Sequence, residues 1–406
     1  MPSPLVQTVT LAQAIAIATA QAPALQIARD DYRLAQVNVA IVRTGELPSL
    51  SVAAAVQRGN EFEFDTSSGT SVSLGLQQLI FDGGKLLAEI RSAQASDVGA
   101  AATYQRAAQQ LAYNVGQAYF SALQARAAVA LTNEILKQNR AAEDLIRAQM
   151  AAGVASQVDL ATAHVPTQRT LVQLAQAQAQ DASAEVAFVN TLGFHANEQV
   201  FPADVTVGAL AELPSYDVAV KRALLLRPDY AASQQAVRAA EQSLRAARLG
   251  EAPQLSLAGS IGSQSTSPSG GSFVPVNTAG VFLNLPLYDQ GLTAAHTHQA
   301  EVQLDRARRL ETQSELSVES DVHQALDLLK GAREALKEAD LEQVEATSVL
   351  RDTQEQYRAG IVQLLSLLNA QSDLTSAEND RLSSLYALQQ AEQTFQYAVG
   401  EIALTP

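Results

Sequence analysis

The chain has no cysteine and no tryptophan in 406 residues, and aromatic residues make up only 5% of it. Without cysteine no disulfide framework, no thiolate metal site and no lipidated cysteine is expected within this sequence. The same absence suits a compartment in which free thiols would oxidise. Basic residues are also scarce, 27 Lys and Arg against 42 Asp and Glu, for a formal charge of −15. A phosphate backbone is gripped by clustered Lys and Arg, so no nucleic-acid partner is expected. No apolar run approaches the roughly 18 residues that a membrane-crossing helix needs. Residues 1–4 begin neither the basic region nor the apolar core of a signal peptide. The expectation is that an export signal is absent from this sequence because it has been removed.

Catalytic signatures are missing as well. There is no Gly-rich phosphate loop and no nucleophile elbow, so neither an enzyme nor a cofactor site is expected. His296 and His298 are spaced by two, which on a helix turns them about 200° apart and away from a shared ligand. They follow a turn-like Asp289–Gly291 segment, where a helix start is the better reading, and no metal site is expected.

What the chain does have is itself, twice. Pro48-Ser-Leu-Ser-Val52 returns as Pro253-Gln-Leu-Ser-Leu257, and Phe81-Asp-Gly-Gly84 as Tyr288-Asp-Gln-Gly291. Met150-Ala-Ala-Gly-Val154 returns as Tyr357-Arg-Ala-Gly-Ile361, and Leu192-Gly193 as Val399-Gly400. The order holds over nearly the whole chain at offsets of about 205 to 207 residues, as a tandem duplication with a short insertion does. The expected division is a first repeat over 1–195, a connector over 196–218 and a second repeat over 219–402.

Each repeat follows one plan. A helical pattern covers about Pro23–Gly45 and stops near a Gly and a Pro. Two strand-like segments follow, roughly Ser49–Arg58 and Thr70–Phe81, with a loop predicted over Gly59–Gly69. In the second strand Val72, Leu74 and Leu76 alternate with Ser73, Gly75 and Gln77, giving one apolar and one polar face. The second repeat alternates likewise through Leu255, Leu257 and Ile261, then Val281, Leu283, Leu285 and Leu287, around a loop predicted over Ser263–Asn277. A proline-free helix is then predicted from about Lys85 to Met150, roughly 100 Å at 1.5 Å per residue. Its apolar seam steps by four and three through Tyr104, Ala108, Leu111, Val115, Ala118, Ala122, Ala125, Val129, Thr132 and Leu136, as in coiled coils. Val318, Val322, Ala325, Leu329, Ala332, Leu336 and Ala339 repeat the seam in phase. After a turn at Gly153 a shorter helix is expected over Ser156–Thr191.

Four strands of this length match the span of a tilted membrane strand. They do not close a barrel, and lipid does not tolerate open sheet edges. Three chains supply twelve strands, an even number within the range of outer-membrane barrels. A homotrimer is the reading that satisfies the edges.

The two-copy plan, the Phe81-Asp-Gly-Gly84 junction, the Tyr357-Arg-Ala-Gly360 turn and the following Leu364–Gln371 segment resemble TolC-type outer-membrane efflux proteins, over about residues 10–400. The resemblance implies a mainly α fold with a small transmembrane β part. In it, long antiparallel coiled-coil helices form an α-barrel in the periplasm, and four strands per chain build a trimeric 12-stranded β-barrel in outer-membrane lipid. It implies a channel-tunnel, the exit duct of a tripartite efflux or type I secretion system, docked to a periplasmic adaptor (membrane fusion) protein and an inner-membrane pump. By resemblance the helix-turn-helix tips, with Gly153, Val154, Ala155, Tyr357, Arg358, Gly360 and Ile361, meet the adaptor. Asp159, Ser366, Asn369 and Asp373 stand where relatives narrow the pore, although Ser366 and Asn369 occupy positions that carry carboxylates in many of them. Arg351, Glu355 and Arg358 are expected to form surface pairs near the second tip. The competing expectation is a soluble coiled-coil scaffold without a pore.

Overall fold

The computed structural model describes residues 7–61, 65–195, 198–204, 212–265 and 272–402. The elements run β1 (Gln7–Val9), α1 (Leu11–Gln21), α2 (Pro23–Arg43), β2 (Ser49–Glu61), β3 (Asp65–Phe81), α3 (Lys85–Ala151), α4 (Gln157–Thr191) and β4 (Val200–Pro202). The second copy runs α5 (Tyr216–Leu226), α6 (Pro228–Arg248), β5 (Gln254–Ser265), β6 (Val274–Asn284), α7 (Leu292–Arg358) and α8 (Leu364–Val399). The two long helices, α3 and α7, have 67 residues each. Two compact units emerge, Met1–Ala28 with Gln105–Pro228 and Leu316–Pro406, and Arg29–Tyr104 with Asp229–Glu315. Each draws chain from both sequence copies.

The helix starts follow from local chemistry. Pro23 and Pro228 open α2 and α6 at the first helical position, where the missing N–H costs nothing. The residues before them, Ala22 and Arg227, are extended at ψ 121° and 119°, as a following proline demands. That break sets off α1 and α5 as separate short helices, which the sequence reading did not anticipate. At the strand-to-helix junctions Asp82 accepts from the Gly84 and Leu86 N–H groups at 2.9 and 2.5 Å. Asp289 does the same for Gly291 and Thr293 at 3.0 and 2.6 Å. A carboxylate thus caps each long helix over its exposed N–H groups.

In the first unit, the seam of α3 is largely inside: Ala108, Leu111, Val115, Ala122, Ala125, Thr132 and Leu136 are buried, and Ala118 and Val129 are half-buried. Ala112, Tyr119, Leu123, Ile135 and Ile146 are buried as well, a second seam that a single heptad reading misses. The helix faces more than one neighbour. Tyr119 is fully buried and stacks edge-on with Phe120 and Phe188. Its hydroxyl donates to the Ala203 carbonyl at 2.6 Å, just after β4, which pairs in parallel with β1. The predicted connector therefore contains a strand and the first turn of α5. In the same unit a side chain on Gly193 would meet the Gln21–Ala22 backbone within 3.2 Å, and one on Gly400 the Leu226–Arg227 backbone at 3.2 Å. Both glycines are left-handed, so the ends of α4 and α8 close on the two proline breaks through the same device.

The second unit holds a four-stranded antiparallel sheet in the order β2-β3-β5-β6. The predicted loop over Gly59–Gly69 is mostly strand, since β2 runs to Glu61 and β3 starts at Asp65. Ser263–Ser265 and Val274–Asn277 likewise belong to strands, and residues 266–271 of that predicted loop lie outside the described residues. Leu285 and Leu287 fall beyond the end of β6. Register puts Val52, Leu74, Ile261 and Asn277 in one cross-strand row, and Leu50, Leu76, Gly259 and Ala279 in the next. Rows of Ser51, Gly75, Ser260 and Thr278, and of Ala53, Ser73, Gly262 and Val276, form the opposite face. Ser260 and Thr278 share a hydroxyl hydrogen bond at 2.8 Å on that face.

On the two inner strands the apolar side chains are the more exposed ones, the reverse of a water-soluble sheet. On β3, Val72, Leu74 and Leu76 are exposed, while Ser71, Ser73 and Gly75 between them are half-buried. On the edge strands Val52 is 72% and Leu283 69% exposed. Such a patch has no place in water.

Candidate functional site: the helix-turn-helix tips

Both tips belong to the first unit. At the first, Gly153 has φ 76°, and at the second Gly360 has φ 72°. The Val154 N–H donates to the Gln149 carbonyl at 2.9 Å, and the Ile361 N–H to the Gln356 carbonyl at 2.9 Å. This six-to-one bond is how a glycine in the left-handed region closes a helix end. Val154 and Ile361 then stand out into solvent, 78% and 73% exposed, with Val158 and Leu365 exposed behind them. Ala155 is half-buried.

The tips differ in how their second helix starts. Ser156 caps α4, and Asp159 completes a capping box, accepting from the Ser156 N–H at 2.9 Å and hydroxyl at 2.7 Å. Those backbone and side-chain bonds from Ser156 hold the Asp159 carboxyl below its ordinary value. In the second tip Gln363 and Ser366 take these places, and Gln363 makes no capping bond. Asp159 is therefore engaged locally, whereas Ser366, Asn369 and Asp373 are exposed on α8.

Of the residues singled out from sequence, Tyr357 is the one that bridges the two tips. Its hydroxyl meets Gln149 Oε1 at 2.9 Å. Burial, then the negative charge of Asp159, push its pKa up, only partly countered by the Gln149 bond. The expected pairing among Arg351, Glu355 and Arg358 does not form. Arg351 turns to Asp352 at 3.3 Å, and Arg358 makes no ion pair among the described residues. Adjacent opposite charges compete with the four-residue spacing for the same flexible side chain, and at such exposure neither contributes much. His296 and His298 lie on α7, as expected; His298 approaches Glu301 at 3.9 Å.

One cluster went unread in the sequence. Glu143 on α3 has a side chain only 8% exposed, with Arg147 Nη2 at 2.6 Å and His164 Nδ1 of α4 at 3.1 Å. Burial pushes the Glu143 carboxyl up, but the Thr167 hydroxyl, His164 and Arg147 outweigh it and hold the group below its ordinary 4.5. A depressed carboxyl contributes stability above its unfolded value, and that contribution is lost as pH falls through the folded value. Amide exchange over residues 156–170 is therefore expected to accelerate between neutral pH and about pH 3, after correction for intrinsic rates. In Glu143→Gln this extra acceleration should vanish; an identical profile in both proteins refutes the role given to Glu143.

A family model described as "Outer membrane efflux protein" matches residues 14–194 and 219–401, one match per sequence copy. The outer membrane efflux protein BepC of Brucella suis biovar 1 is 27% identical over 90% of this chain and 81% of its own length. Among solved structures, CusC superposes with a TM-score of 0.85 at 20% identity, over 98% of this chain and 96% of that one. The open state of the Neisseria gonorrhoeae MtrE outer membrane channel gives 0.81 at 21% identity, over 100% and 95%.

Proposed function

The chain belongs to the outer membrane efflux protein family, and from that premise we propose that three copies assemble into a continuous exit duct fed by a periplasmic adaptor and an inner-membrane pump. The observation that carries this reading is the four-stranded sheet with one apolar, exposed face. An exposed apolar face backed by one of mostly small or hydroxyl-bearing side chains, with Val276 and Phe282 of β6 among its apolar exceptions, suits a barrel wall between lipid and a watery lumen. The soluble scaffold offers no solvent for that face.

The free edges support closure between copies. The outermost strands, β2 and β6, each have one neighbour. Within an alternating four-stranded sheet they run in opposite directions, so β6 of one copy meets β2 of the next antiparallel, and closure leaves no edge in lipid. Three copies give twelve strands. Conductance of the detergent-purified protein in a planar bilayer, with its mass measured in the same preparation, tests the assembly. Discrete steps from a trimer are expected; a non-conducting monomer or dimer refutes it.

The tips are the adaptor contact in this reading. Two glycine turns present Val154 and Ile361 as bare apolar ends, flanked by Ala155, Tyr357 and Arg358, and those ends suit a partner's helix rather than water. Asp159, Ser366, Asn369 and Asp373 form the narrowest part of the pore. With Asp159 held in its capping box, Asp373 is the carboxylate left to act on passing cations. Gly360→Val forces a branched side chain to φ 72°, a strain on the order of 1–3 kcal/mol that the exposed turn relieves by changing shape. Trimer mass and conductance should survive, while pump-dependent efflux in cells falls; undiminished efflux removes the tip assignment.

A further inference from the structure

The two sequence repeats fold alike residue by residue. α2 and α6 have 21 residues each, and Pro23 recurs as Pro228; α3 and α7 have 67 each, and Lys85 recurs as Leu292. The offset is thus 205 for α2 and β2, and 207 for β3 and α3. Hairpin register keeps both offsets: Ser49 opposite Gln77 becomes Gln254 opposite Asn284. Helix contacts keep them too. A Cβ on Gly45 would lie 2.9 Å from the Leu86 side chain, and one on its counterpart Gly250 would lie 2.7 Å from Thr293, the counterpart of Leu86.

Inside the second unit the first repeat meets the second along β3–β5 and α3–α6. Leu74 lies opposite Ile261. The Ser92 hydroxyl donates to the Ala239 carbonyl at 3.0 Å and lies 2.9 Å from the Ser243 hydroxyl. A Cβ on Gly99 would stand 3.4 Å from that of Gln235. Ala88, Ser92, Ala95 and Gly99, spaced by four, three and four, form one stripe of α3, and all are buried or half-buried. Their counterparts on α7, Ala295, Gln299, Val302 and Arg306, are all exposed. The facing helix repeats the contrast. Ala239, Gln242 and Ala246 of α6 are buried or half-buried, whereas Leu34, Val37 and Ile41, at the same places of α2, are exposed. The outer strands, β2 and β6, have one neighbour each. The two outer flanks of the unit therefore carry the two halves of the internal seam, both uncovered.

We propose that each chain seats its α7–β6 flank on the α2–β2 flank of the next in the register of the internal seam, with an ion pair between Arg306 and Asp30 of the next chain. The inference rests on the closed assembly proposed above and assigns its residue pairs. Leu74 opposite Ile261 carries over to Val281 opposite Val56 of the next chain, both exposed and both on the apolar face of the sheet. Ser92 with Ser243 carries over to Gln299 with Asn38, two amides in place of two hydroxyls. Gly99 beside Gln235 carries over to Arg306 beside Asp30, opposite charges where the internal seam is neutral. Asp30 bonds Arg33 of its own helix through one carboxylate oxygen, at 3.0 Å. The contact is heterologous, and it closes because each chain offers both flanks. Its helix pairs are also bulkier: Arg306, Val302 and Leu34 stand where the internal seam has Gly99, Ala95 and Ala239. Helix separation follows the side chains at the contact, so α7 and α2 of adjacent chains stand farther apart than α3 and α6 within one.

The chain has no cysteine, so paired cysteines report the strand register without background. In intact detergent-solubilised protein, Val56→Cys with Val281→Cys should form covalent trimers on copper-catalysed oxidation by air, because residues directly opposite in a ladder lie within disulfide reach. Val56→Cys with Ala279→Cys, or with Leu283→Cys, tests a slip of two residues on the same face. Diagonal neighbours exceed that reach, and roughly tenfold less covalent trimer is expected from either pair. A maximum at Ala279 or Leu283 overturns the register and leaves closure standing. No cross-link from any pair, in protein of trimeric mass, overturns the β6–β2 seam; monomeric mass brings down the closed assembly as well. Arg306→Glu should lower the heat midpoint of the assembled protein by roughly 2–4 °C. Adding Asp30→Arg should return most of that shift, beyond any effect of Asp30→Arg alone. An unchanged midpoint in the single variant, or no rescue in the double, overturns the ion pair.

Discussion

Leu74→Lys is expected to remove the protein from the outer membrane, whereas Ser73→Lys, one residue away, is expected to leave it there. The two positions are neighbours on the inner strand β3 and point to opposite faces. Leu74 sits in a row with Val52 and Ile261, all exposed and apolar. Ser73 sits in a row with Ala53, Gly262 and Val276, on the face where small side chains predominate. A Lys at the lipid-facing midplane of a barrel costs about 2–4 kcal/mol, and a three-copy barrel carries that cost three times. A Lys toward the lumen keeps its ammonium in water. The amount of each variant recovered in outer-membrane fractions, against the unmodified chain, reads the difference directly. Equal recovery would mean that the apolar face does not meet lipid, and the barrel reading falls with it. A soluble scaffold predicts the reverse, because replacing an exposed leucine by lysine improves a surface in water.

That contrast was already written in the alternation of Val72, Leu74 and Leu76 with Ser73, Gly75 and Gln77, and the period of two needed no tertiary knowledge. Long-helix ends were equally legible. Lys85 follows Asp-Gly-Gly, and Gly153 and Gly360 stop the helices within a residue or two of the expected place. Other features depend on partners distant in sequence. β1 and β4 are three residues each, too short for a period to register, and they exist because each pairs with the other across the length of a repeat. The strands extend into Gly59–Glu61 and Asp65–Gly69 against their loop-like composition, since ladder hydrogen bonds from the opposite strand outweigh weak local preference. Tyr357 was readable as a tip residue, but its bond to Gln149 joins residues 208 apart in sequence. Glu143 and His164 carried a signal that went unused. Aligning the copies shows a charged residue and a histidine where the other has leucine and glutamine, and duplicates that diverge at paired positions point to contact between them.

Gly262→Val is expected to be the most disruptive single change in the sheet. The seam between β3 and β5 differs from the other two, because β2–β3 and β5–β6 are neighbours in sequence, while β3 and β5 join the two copies with no turn between them. At that seam the strands approach closely. A Cβ on Gly262 would lie 2.5 Å from the Val72 carbonyl oxygen and 2.9 Å from the Ser73 Cα. Those are backbone atoms, and a rotamer change does not move them out of the way. The strands must part, and the sheet becomes two hairpins, each marginal alone. Overpacking typically costs 1–3 kcal/mol; with backbone on the opposing side the expectation here is about 3 kcal/mol or more. Gly75 provides the control on the same face. Its nearest neighbour is the Ser51 hydroxyl oxygen at 3.4 Å, ordinary contact with the end of a small side chain, so Gly75→Ala should be mild. Survival of the assembled protein on heating separates the two: the midpoint should drop steeply for Gly262→Val and little for Gly75→Ala. Comparable midpoints would show that the β3–β5 seam yields without breaking, and that the two copies are held together by their helices instead.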